Sequence, residues 1–296
     1  MSSIGSLLLA AVRTGIDRLD SQLLLLHALQ MPALPSEGAR RAWLLAHGED
    51  AVPESVLQRF EALVQRRTTG EPVAYLTGHK EFFGLLLAVD ARVLVPRPDT
   101  ETLVGWALDL LPEGPEGPTH VPDRPASVLD LGTGSGAVAL AIKQARPDVV
   151  VDAIDASSDA LAVAQLNAHN LGLAVNFLAG NWFQPATDRY DCIVSNPPYV
   201  ATDDPHLAAL RHEPLQALVA GADGLQDLRT IVAAAMGHLY PGGWLLVEHG
   251  FDQGSAVRAL FASAGFAQVS TRIDLAGHER CTGGRVIAGE PRTLVK

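Results

Sequence analysis

Two consecutive prolines follow an asparagine at the end of an apolar run, in the stretch SNPPY (residues 195–199). Because proline fixes its own φ and has no backbone N–H, the pair ends a strand and stiffens the chain behind it. Asn196 supplies a side-chain carbonyl acceptor, the backbone carbonyl of Pro197 supplies a second, and Tyr199 offers an aromatic face. Two rigid acceptors suit the two hydrogens of a planar –NH2 group. The structural alternative is a proline-stiffened turn.

The –NH2 group of a carboxamide or an adenine is a poor nucleophile because its lone pair is delocalised. A corner of this kind would hold the nitrogen in line with an electrophilic methyl group and favour localisation of the lone pair as it reacts. The first step needs no general base, because the nitrogen becomes acidic once it is alkylated. The lack of an obvious catalytic Asp/Glu pair in the sequence agrees with this chemistry.

A second motif, DLGTGSG (residues 130–136), follows a predicted strand and opens a predicted helix. Its glycines let the backbone turn tightly and approach a ligand, and the helix N-terminus behind them offers free N–H groups. The G-x-G-x-G spacing of Gly132, Gly134 and Gly136 differs from the G-x-G-x-x-G of dinucleotide sites, which argues against NAD. A tight strand–helix turn without a ligand is the alternative.

Two further residues follow the next strands of the same pattern. Asp155 ends the second strand, where a carboxylate can accept hydrogen bonds from a ribose diol or cap the helix that starts near Ser157. Trp182 follows the third strand, where its ring can pack on an adenine or belong to the core or its rim. With the glycine loop they describe a nucleoside pocket without a phosphate-binding basic residue. S-adenosylmethionine matches this pocket because it carries no phosphate.

The elements that position these motifs begin at Ser127, where predicted strands and helices alternate. The alternation predicts an α/β domain with a doubly wound, mostly parallel sheet, in which ligands bind beyond the carboxyl ends of the strands. Two final strands are predicted in FAQVSTRI (residues 266–273) and GRVIAGE (residues 284–290).

The N-terminal part of the chain reads as a small all-helical bundle. Apolar spacing predicts helices in LDSQLLLLHALQ, with Asp20 or Ser21 as the N-cap, in RRAWLLAHG and in PESVLQRFEALVQRR. Behind it, two β-prone runs on either side of residues 89–92 predict a linking β-hairpin. Asp99 is the predicted N-cap of the next helix, and the Pro- and Gly-rich residues 112–125 form a predicted surface loop.

Composition narrows the class of protein. The formal net charge of −11 argues against a protein that binds nucleic acid directly, since such proteins cluster Lys and Arg. The two cysteines, Cys192 and Cys281, suggest neither a metal site nor a disulfide framework. No run approaches the roughly 18 apolar residues of a membrane span, and the N-terminus lacks the basic start of a secretory signal. We therefore expect a cytoplasmic protein without a membrane partner and without a metal.

The motifs together resemble one known family. GHKEFFGL, VLVPRPDTETLV, VLDLGTGSGAVALA, SNPPYV, DPHL and PGGWLLVEHGFDQGSAVR are similar to the PrmC/HemK family of peptide chain release factor N5-glutamine methyltransferases. The resemblance covers the chain from Tyr75 to Arg285 and implies a Rossmann-like S-adenosylmethionine-dependent methyltransferase fold. The implied substrate is the glutamine of the Gly-Gly-Gln loop in class 1 release factors, whose methylation supports translation termination.

The resemblance also implies roles for individual residues and segments. The implied S-adenosylmethionine site comprises Gly132, Thr133, Gly134, Ser135, Gly136, Asp155, Asn181, Trp182 and Asn196. The implied glutamine site comprises Asn196, Pro197, Pro198 and Tyr199, of which Asn196, Pro197 and Tyr199 are the catalytic candidates. The implied domains are 1–76, a helical bundle that helps to grip the release factor, 77–97, a hairpin linker, and 98–296, the catalytic domain.

Several positions depart from the family pattern or remain open. Asn181 stands where the family usually has an acidic residue that accepts a bond from the adenine amino group, and Asn can still accept through its side-chain oxygen. Cys281 replaces a more usual valine. Arg97 can contact substrate or pair with a nearby acid. Glu248 and His249 are interpreted as structural, because neighbouring strand residues point to opposite faces.

Two other functions are compatible with parts of the sequence. An adenine-N6 nucleic-acid methyltransferase shares the Asn-Pro-Pro-Tyr chemistry, but it has to flip a base and usually carries a basic recognition region. A cofactor-binding scaffold without turnover is the non-enzymatic alternative, and the intact corner and glycine loop argue against it.

Overall fold

The computed structural model describes residues 2–31, 37–112 and 124–287. The chain divides into two compact units, Met1–His79 and Lys80–Lys296. The described helices of the first unit are α1 (Ile4–Arg13), α2 (Arg18–Ala28), α3 (Glu37–Ala46), α4 (Glu54–Thr68) and α5 (Val73–Thr77). All five contribute buried apolar side chains to one core, among them Ile4, Leu24, Leu44, Phe60 and Leu76.

Helix α2 begins earlier than its predicted N-caps. The N-cap is Asp17, whose carboxylate accepts a hydrogen bond from the Leu19 N–H at 2.6 Å. The prediction of Asp20 or Ser21 is wrong because both residues lie inside the first turn, where the Ser21 hydroxyl donates to a backbone carbonyl of the same turn.

A two-stranded hairpin follows, formed by β1 (His79–Phe82) and β2 (Leu85–Ala88). Its turn lies at Phe83 and Gly84, which have φ angles of 49° and 78°. Two successive residues with positive φ match the right-handed twist of the flanking strands, so the chain reverses there. The turn predicted at residues 89–92 is therefore in the wrong place. In that segment the Asp90 carboxylate instead accepts the Arg92 N–H at 3.0 Å and closes a separate loop turn.

A seven-stranded sheet forms the centre of the second unit. Its strands are β3 (Ser127–Leu131), β4 (Val150–Asp155), β5 (Asn176–Ala179), β6 (Tyr190–Ser195), β7 (Leu239–Glu248), β8 (Ala267–Ile273) and β9 (Glu279–Arg285). The accompanying helices are α6 (Glu101–Leu110), α7 (Ala137–Ala145), α8 (Ser158–Leu171), α9 (Gln226–Ala235) and α10 (Gly254–Ala264). The strand order is β5-β4-β3-β6-β7-β9-β8, with β3 to β7 parallel and β9 antiparallel to both neighbours. The predicted doubly wound, mostly parallel α/β fold is confirmed.

Two local predictions in this unit are wrong. The last described strand, β9, begins at Glu279 rather than at residue 284 and ends at Arg285, because a turn at residues 274–277 lets the chain reverse directly after β8. Residues 288–290 of the predicted strand lie outside the described residues. Asp99 does not cap α6, since it lies in a 3-10 turn before that helix and pairs with Arg280 at 3.2 Å. Residues 113–123 of the predicted surface loop lie outside the described residues.

The register of the sheet brings the two motifs together. Leu131 of β3 pairs with Ile154 of β4 on one side and with Ser195 of β6 on the other. The glycine loop, Asp155 and Asn196 therefore leave three adjacent strands at the same edge of the sheet.

Candidate active site

The glycine loop between β3 and α7 depends on left-handed backbone that favours glycine. Gly132, Gly134 and Gly136 have φ angles of 71°, 56° and 84°. The Gly132 N–H donates to the Ile154 carbonyl at 2.9 Å and so ties the loop to β4. A Cβ on Gly136 would lie 3.2 Å from the Ala164 Cβ of α8. The loop is therefore closely packed between its neighbours.

The side chains of the loop's hydroxyl residues turn into the protein. The Thr133 hydroxyl donates to Asp130 Oδ2 at 2.7 Å, and the backbone carbonyl of Ser135 accepts from the buried Asn167 amide at 2.9 Å. Asp130 Oδ2 also accepts the Ala139 N–H at 3.2 Å, so this carboxyl group caps α7. Burial raises the pKa of Asp130 to about 7, although both hydrogen bonds oppose the shift.

Asp155 ends β4 and links the glycine loop to the start of α8. Its Oδ2 accepts the Gly134 N–H and its Oδ1 accepts the Ser157 N–H, both at 2.8 Å. Burial raises the pKa of Asp155, and the backbone hydrogen bonds oppose this. Each carboxylate oxygen has a second lone pair, so the side chain can hold the loop and still accept from a ligand. The N-cap of α8 is Ser157 itself.

Trp182 lies over the glycine loop. It has a φ of 48°, and a Cβ on Gly132 would be 3.5 Å from Cζ3 of its ring. At Gly180 a Cβ would come within 2.7 Å of the Pro185 ring, so the loop after β5 needs glycine there. Between them, Asn181 is exposed, and its backbone N–H donates to Gln184 Oε1 at 3.3 Å.

These elements enclose a cavity of about 300 Å³, within the range of small-molecule pockets. The predicted site residues that line it are Gly132, Gly134, Asp155, Asn181, Trp182, Asn196 and Pro198. Thr133, Ser135, Gly136, Pro197 and Tyr199 are not among its lining residues. The one basic residue of the described lining, Arg92, is bound in a two-point ion pair with Asp90 at 2.9 and 2.7 Å. Two carboxylates, Asp155 and Asp227, also face the cavity, and burial raises the pKa of Asp227.

The asparagine of the corner has a defined partner. Asn196 Nδ2 donates to the Thr100 hydroxyl at 3.1 Å, which leaves Oδ1 as the acceptor of that amide. Just before it, the Ser195 hydroxyl donates to the Leu131 carbonyl at 2.8 Å and ties β6 to β3. Pro197 is buried behind the corner. Asn196, like Pro198, thus belongs both to the corner and to the cavity wall.

Hydrogen bonds hold Tyr199 at its hydroxyl group and at its backbone carbonyl. Its hydroxyl donates to Glu248 Oε1 at 3.3 Å, and its backbone carbonyl accepts from Gln253 Nε2 at 3.0 Å. Burial, followed by the charge of Glu248, raises the pKa of Tyr199, so the hydroxyl stays protonated. Sequence reasoning placed Glu248 among the structural residues and did not find Thr100. Glu248 ends β7 at the sheet edge that carries the motifs, and that position was the available signal for it. Thr100 lies in the turn before α6 and follows no strand, so the sequence offered no comparable signal for it.

An ion pair with a buried carboxylate joins two loops beside the cavity. Arg97 pairs with Glu213, whose side chain is 3% exposed, and Glu213 Oε2 also accepts the Val95 N–H at 3.1 Å. Sequence reasoning left open whether Arg97 meets substrate or a nearby acid, and it did not find this distant partner. Segments on either side of the contact, residues 92–94 and 214–217, contribute to the cavity wall.

The described part of the chain was also compared with what a metal site and a membrane span require. No group of His, Cys, Asp and Glu side chains among those residues could hold a metal ion. None of the helices described there has the length and apolar character needed to cross a bilayer.

Comparison with known proteins agrees with this geometry. The model of the methyltransferase small domain matches residues 119–264, and that of the PrmC N-terminal domain matches residues 3–78. The release factor glutamine methyltransferase of Xylella fastidiosa (strain Temecula1 / ATCC 700964) is 47% identical, over 94% of this chain and 96% of that protein. That of Bordetella pertussis (strain Tohama I / ATCC BAA-589 / NCTC 13251) is 48% identical, over 91% and 95%. A solved methyltransferase from Pyrococcus furiosus, 16% identical, shares the fold with a TM-score of 0.52 over 77% of this chain and 98% of that one.

The fold and the matched domain define a Rossmann-like methyltransferase. The doubly wound sheet, the cavity beyond its carboxyl edge and the matched methyltransferase domain agree on this class. The chain belongs to the family of release factor glutamine methyltransferases, as the motifs of the sequence predict.

Proposed function

We propose that this protein transfers a methyl group from S-adenosylmethionine to the side-chain amide nitrogen of the glutamine in the Gly-Gly-Gln loop of class 1 release factors. Relatives at 47% and 48% identity carry the name release factor glutamine methyltransferase. The observation that carries the chemistry is the position of Asn196, which lines the same cavity as Asp155 and Trp182. An amide held by Asn196 would therefore lie beside a ligand held in that cavity.

The charges of the cavity wall suit S-adenosylmethionine. This ligand combines an adenosine with a sulfonium, an ammonium and a carboxylate group, so it is a net cation, and it carries no phosphate. Asp155 and Asp227 give the wall a negative character, and the guanidinium of Arg92 is already paired with Asp90. We infer that Asp155 binds the ribose and that Trp182 and Asn181 bind the adenine. The backbone N–H groups of the glycine loop are the remaining donors.

S-adenosylmethionine supplies a methyl group activated on a sulfonium sulfur. Asn196 Oδ1 and the backbone carbonyl of Pro197 accept the two N–H groups of the glutamine and fix its nitrogen. Transfer would form the N–C bond from the nitrogen lone pair while the bond between methyl carbon and sulfur breaks and leaves its electron pair on sulfur. The two acceptors stabilise the positive charge that develops on the nitrogen, which then loses a proton to water. Tyr199 covers the planar amide.

The proposal also covers the binding of the release factor and the roles of the domains. The helices of the first unit match the PrmC N-terminal domain, and we propose that they contribute to binding of the release factor. The boundaries 1–76, 77–97 and 98–296 and a cytoplasmic location remain predictions.

The test offers S-adenosylmethionine labelled in its methyl group to four acceptors. These are a purified class 1 release factor, the same factor with its Gly-Gly-Gln glutamine replaced by alanine, ribosomes and adenine-rich DNA. We expect label in the intact factor alone. Label in DNA or ribosomes, with none in the factor, would mean that the acceptor is wrong and that an adenine-type substrate has to be considered.

A pair of asparagine variants connects the transfer to the corner. Asn196→Ala should lower kcat by about 100-fold or more, because it removes an acceptor that acts on the developing charge. Asn176→Ala changes an asparagine at the start of β5 that bonds Asp152, outside the cavity lining, and should leave kcat unchanged. Equal rates in both variants would contradict the role of the corner.

A further inference from the structure

We propose that Glu248 is a positioning residue for methyl transfer: through the Thr100 hydroxyl it fixes the Asn196 amide with its carbonyl oxygen available to the acceptor. This inference deepens the proposed function and rests on it. Glu248 lies at the carboxyl end of β7, is 1% exposed and does not line the cavity. It would therefore act through its neighbours rather than on substrate.

A chain of polar groups joins Glu248 to the corner. Asn196 Nδ2 donates to Thr100 Oγ1 at 3.1 Å, and Thr100 is 4% exposed. Hydrogen bonding from Thr100 lowers the pKa of the Glu248 carboxyl. Glu248 Oε2 is buried and has no hydrogen-bond partner in the described part of the chain, so a proton donated by the Thr100 hydroxyl would satisfy it. Its Oε1 accepts from Tyr199.

The chemistry of the Glu248 carboxylate decides which group donates and which accepts in each of these hydrogen bonds. A hydroxyl has one proton, and an ionised carboxylate can only accept. The Thr100 proton therefore goes to Glu248, and the Thr100 oxygen is left to accept from Asn196 Nδ2. If the hydroxyl donated to Asn196 instead, the amide would rotate and present its –NH2 to the substrate –NH2. Two donors would then face each other, and the corner would lose one of its two acceptors.

Because Glu248 can ionise, the hydrogen bonds from Glu248 through Thr100 to Asn196 depend on pH. Four groups from three segments face the carboxylate: Asp99 before α6, Tyr199 after β6, and Arg280 and Cys281 on β9. Burial raises the pKa of Glu248 to about 7, against the hydrogen bonds of Thr100 and Tyr199 and the charge of Arg280. Protonation below this value lets Glu248 donate to Thr100 and removes the fixed direction. We expect kcat to fall as the pH drops below 7.

Isosteric substitutions distinguish an effect of the hydrogen-bond direction at Thr100 from an effect of side-chain packing. Glu248→Gln keeps the volume but can donate, and Thr100→Val removes the hydroxyl, so both should lower kcat about 10-fold or more with little change in KM for S-adenosylmethionine. Both should also lose the fall in kcat on the acid side. Thr100→Ser keeps the hydroxyl and should retain most of the activity and the full pH profile. Thermal unfolding of each variant identifies any that fail to fold.

A second readout is independent of methyl transfer. In the free wild-type protein, labelled with ¹⁵N and ¹³C, the side-chain amide signal of Asn196 should shift as the Glu248 carboxyl titrates. Asn196→Asp identifies that signal. In Thr100→Val the Glu248 titration should persist while the Asn196 signal no longer follows it, and in Thr100→Ser the coupling should remain.

The two readouts distinguish the possible failures. A wild-type enzyme that leaves release factors unlabelled but shows the coupled titration would overturn the proposed function and leave the positioning role standing. An active enzyme whose Asn196 signal ignores Glu248, and whose Glu248→Gln variant keeps the wild-type kcat and pH profile, would overturn the positioning role.

Discussion

The carboxylate of Glu213 accepts a hydrogen bond from the backbone N–H of Val95 at 3.1 Å, although 118 positions separate the two residues in the chain. Its other oxygen pairs with Arg97. The contact joins two loops that both contribute to the cavity wall. A single buried side chain thus holds both loops next to each other.

Removing this carboxylate should loosen these loops. We expect Glu213→Ala to weaken S-adenosylmethionine binding by about 10-fold and to lower the free energy of unfolding by about 1–3 kcal/mol, because it leaves a buried N–H unpaired. Glu213→Gln still offers an oxygen to Val95 and should lie between alanine and wild type. Titration calorimetry and denaturant unfolding measure both quantities. Glu61→Ala, at an exposed position of α4, is the control, and equal behaviour of the two alanine variants would contradict the idea.

Gly132→Ala should affect both stability and ligand binding. Gly132 has a φ of 71° and faces the Trp182 ring in the cavity, whereas Gly277, with a φ of 86°, has open space around its Cβ position. Alanine at either position should cost about 1 kcal/mol in the free energy of unfolding, since both force a left-handed alanine. The affinity for S-adenosylmethionine should fall in Gly132→Ala alone. A similar loss of affinity in Gly277→Ala would show that strain, rather than contact, explains the effect.

Asn181→Asp should strengthen cofactor binding. Asn181 lines the cavity, and a carboxylate accepts stronger hydrogen bonds than an amide and adds negative charge beside a cationic ligand. We expect the Kd for S-adenosylmethionine to fall about 3- to 10-fold, with a smaller effect at high salt. Asn170→Asp adds the same charge on an exposed residue of α8 and should change Kd little. Weaker binding in Asn181→Asp would mean that this side chain faces an acceptor of the ligand.

The stability contributed by Asp130 should fall as the pH rises. Burial raises the pKa of its carboxyl from 3.8 to about 7, so between these values the folded state holds a proton that the unfolded state has released. Under these conditions the free energy of unfolding decreases with increasing pH and becomes level above the folded-state pKa. Denaturant unfolding of the wild type and of Asp130→Asn across this range measures the difference. A gap between the two proteins that is independent of pH would contradict the shift.

Sequence reasoning located the candidate residues where a motif directly follows a strand end. The glycine loop, Asp155, Trp182 and Asn196 are each recognisable from a local pattern, and parallel strands bring such positions to one edge. The roles assigned to them stay predictions until binding and transfer are measured. The fold itself was confirmed because the alternation of strands and helices persists across most of the second unit.

Contacts between residues that lie far apart in the sequence could not be predicted from local patterns. Glu213 meets Val95 and Glu248 meets Thr100 only after the loops have folded over the sheet edge, and no local spacing encodes such pairs. The hairpin turn was misplaced because the φ of Phe83 is positive, which its residue type disfavours. The cap assigned to Asp99 failed because a cation on β9 competes for that carboxylate.

The ion pair between Arg92 and Asp90 has a consequence for ligand competition. Adenine nucleotides share their adenosine with S-adenosylmethionine and differ in carrying several negative charges. At this cavity a triphosphate meets two carboxylates and a guanidinium that already has its counterion. A sulfonium ligand would meet the same two carboxylates as favourable neighbours. We therefore expect the wall of the cavity to discriminate between carriers of the same nucleoside by the sign of their charge.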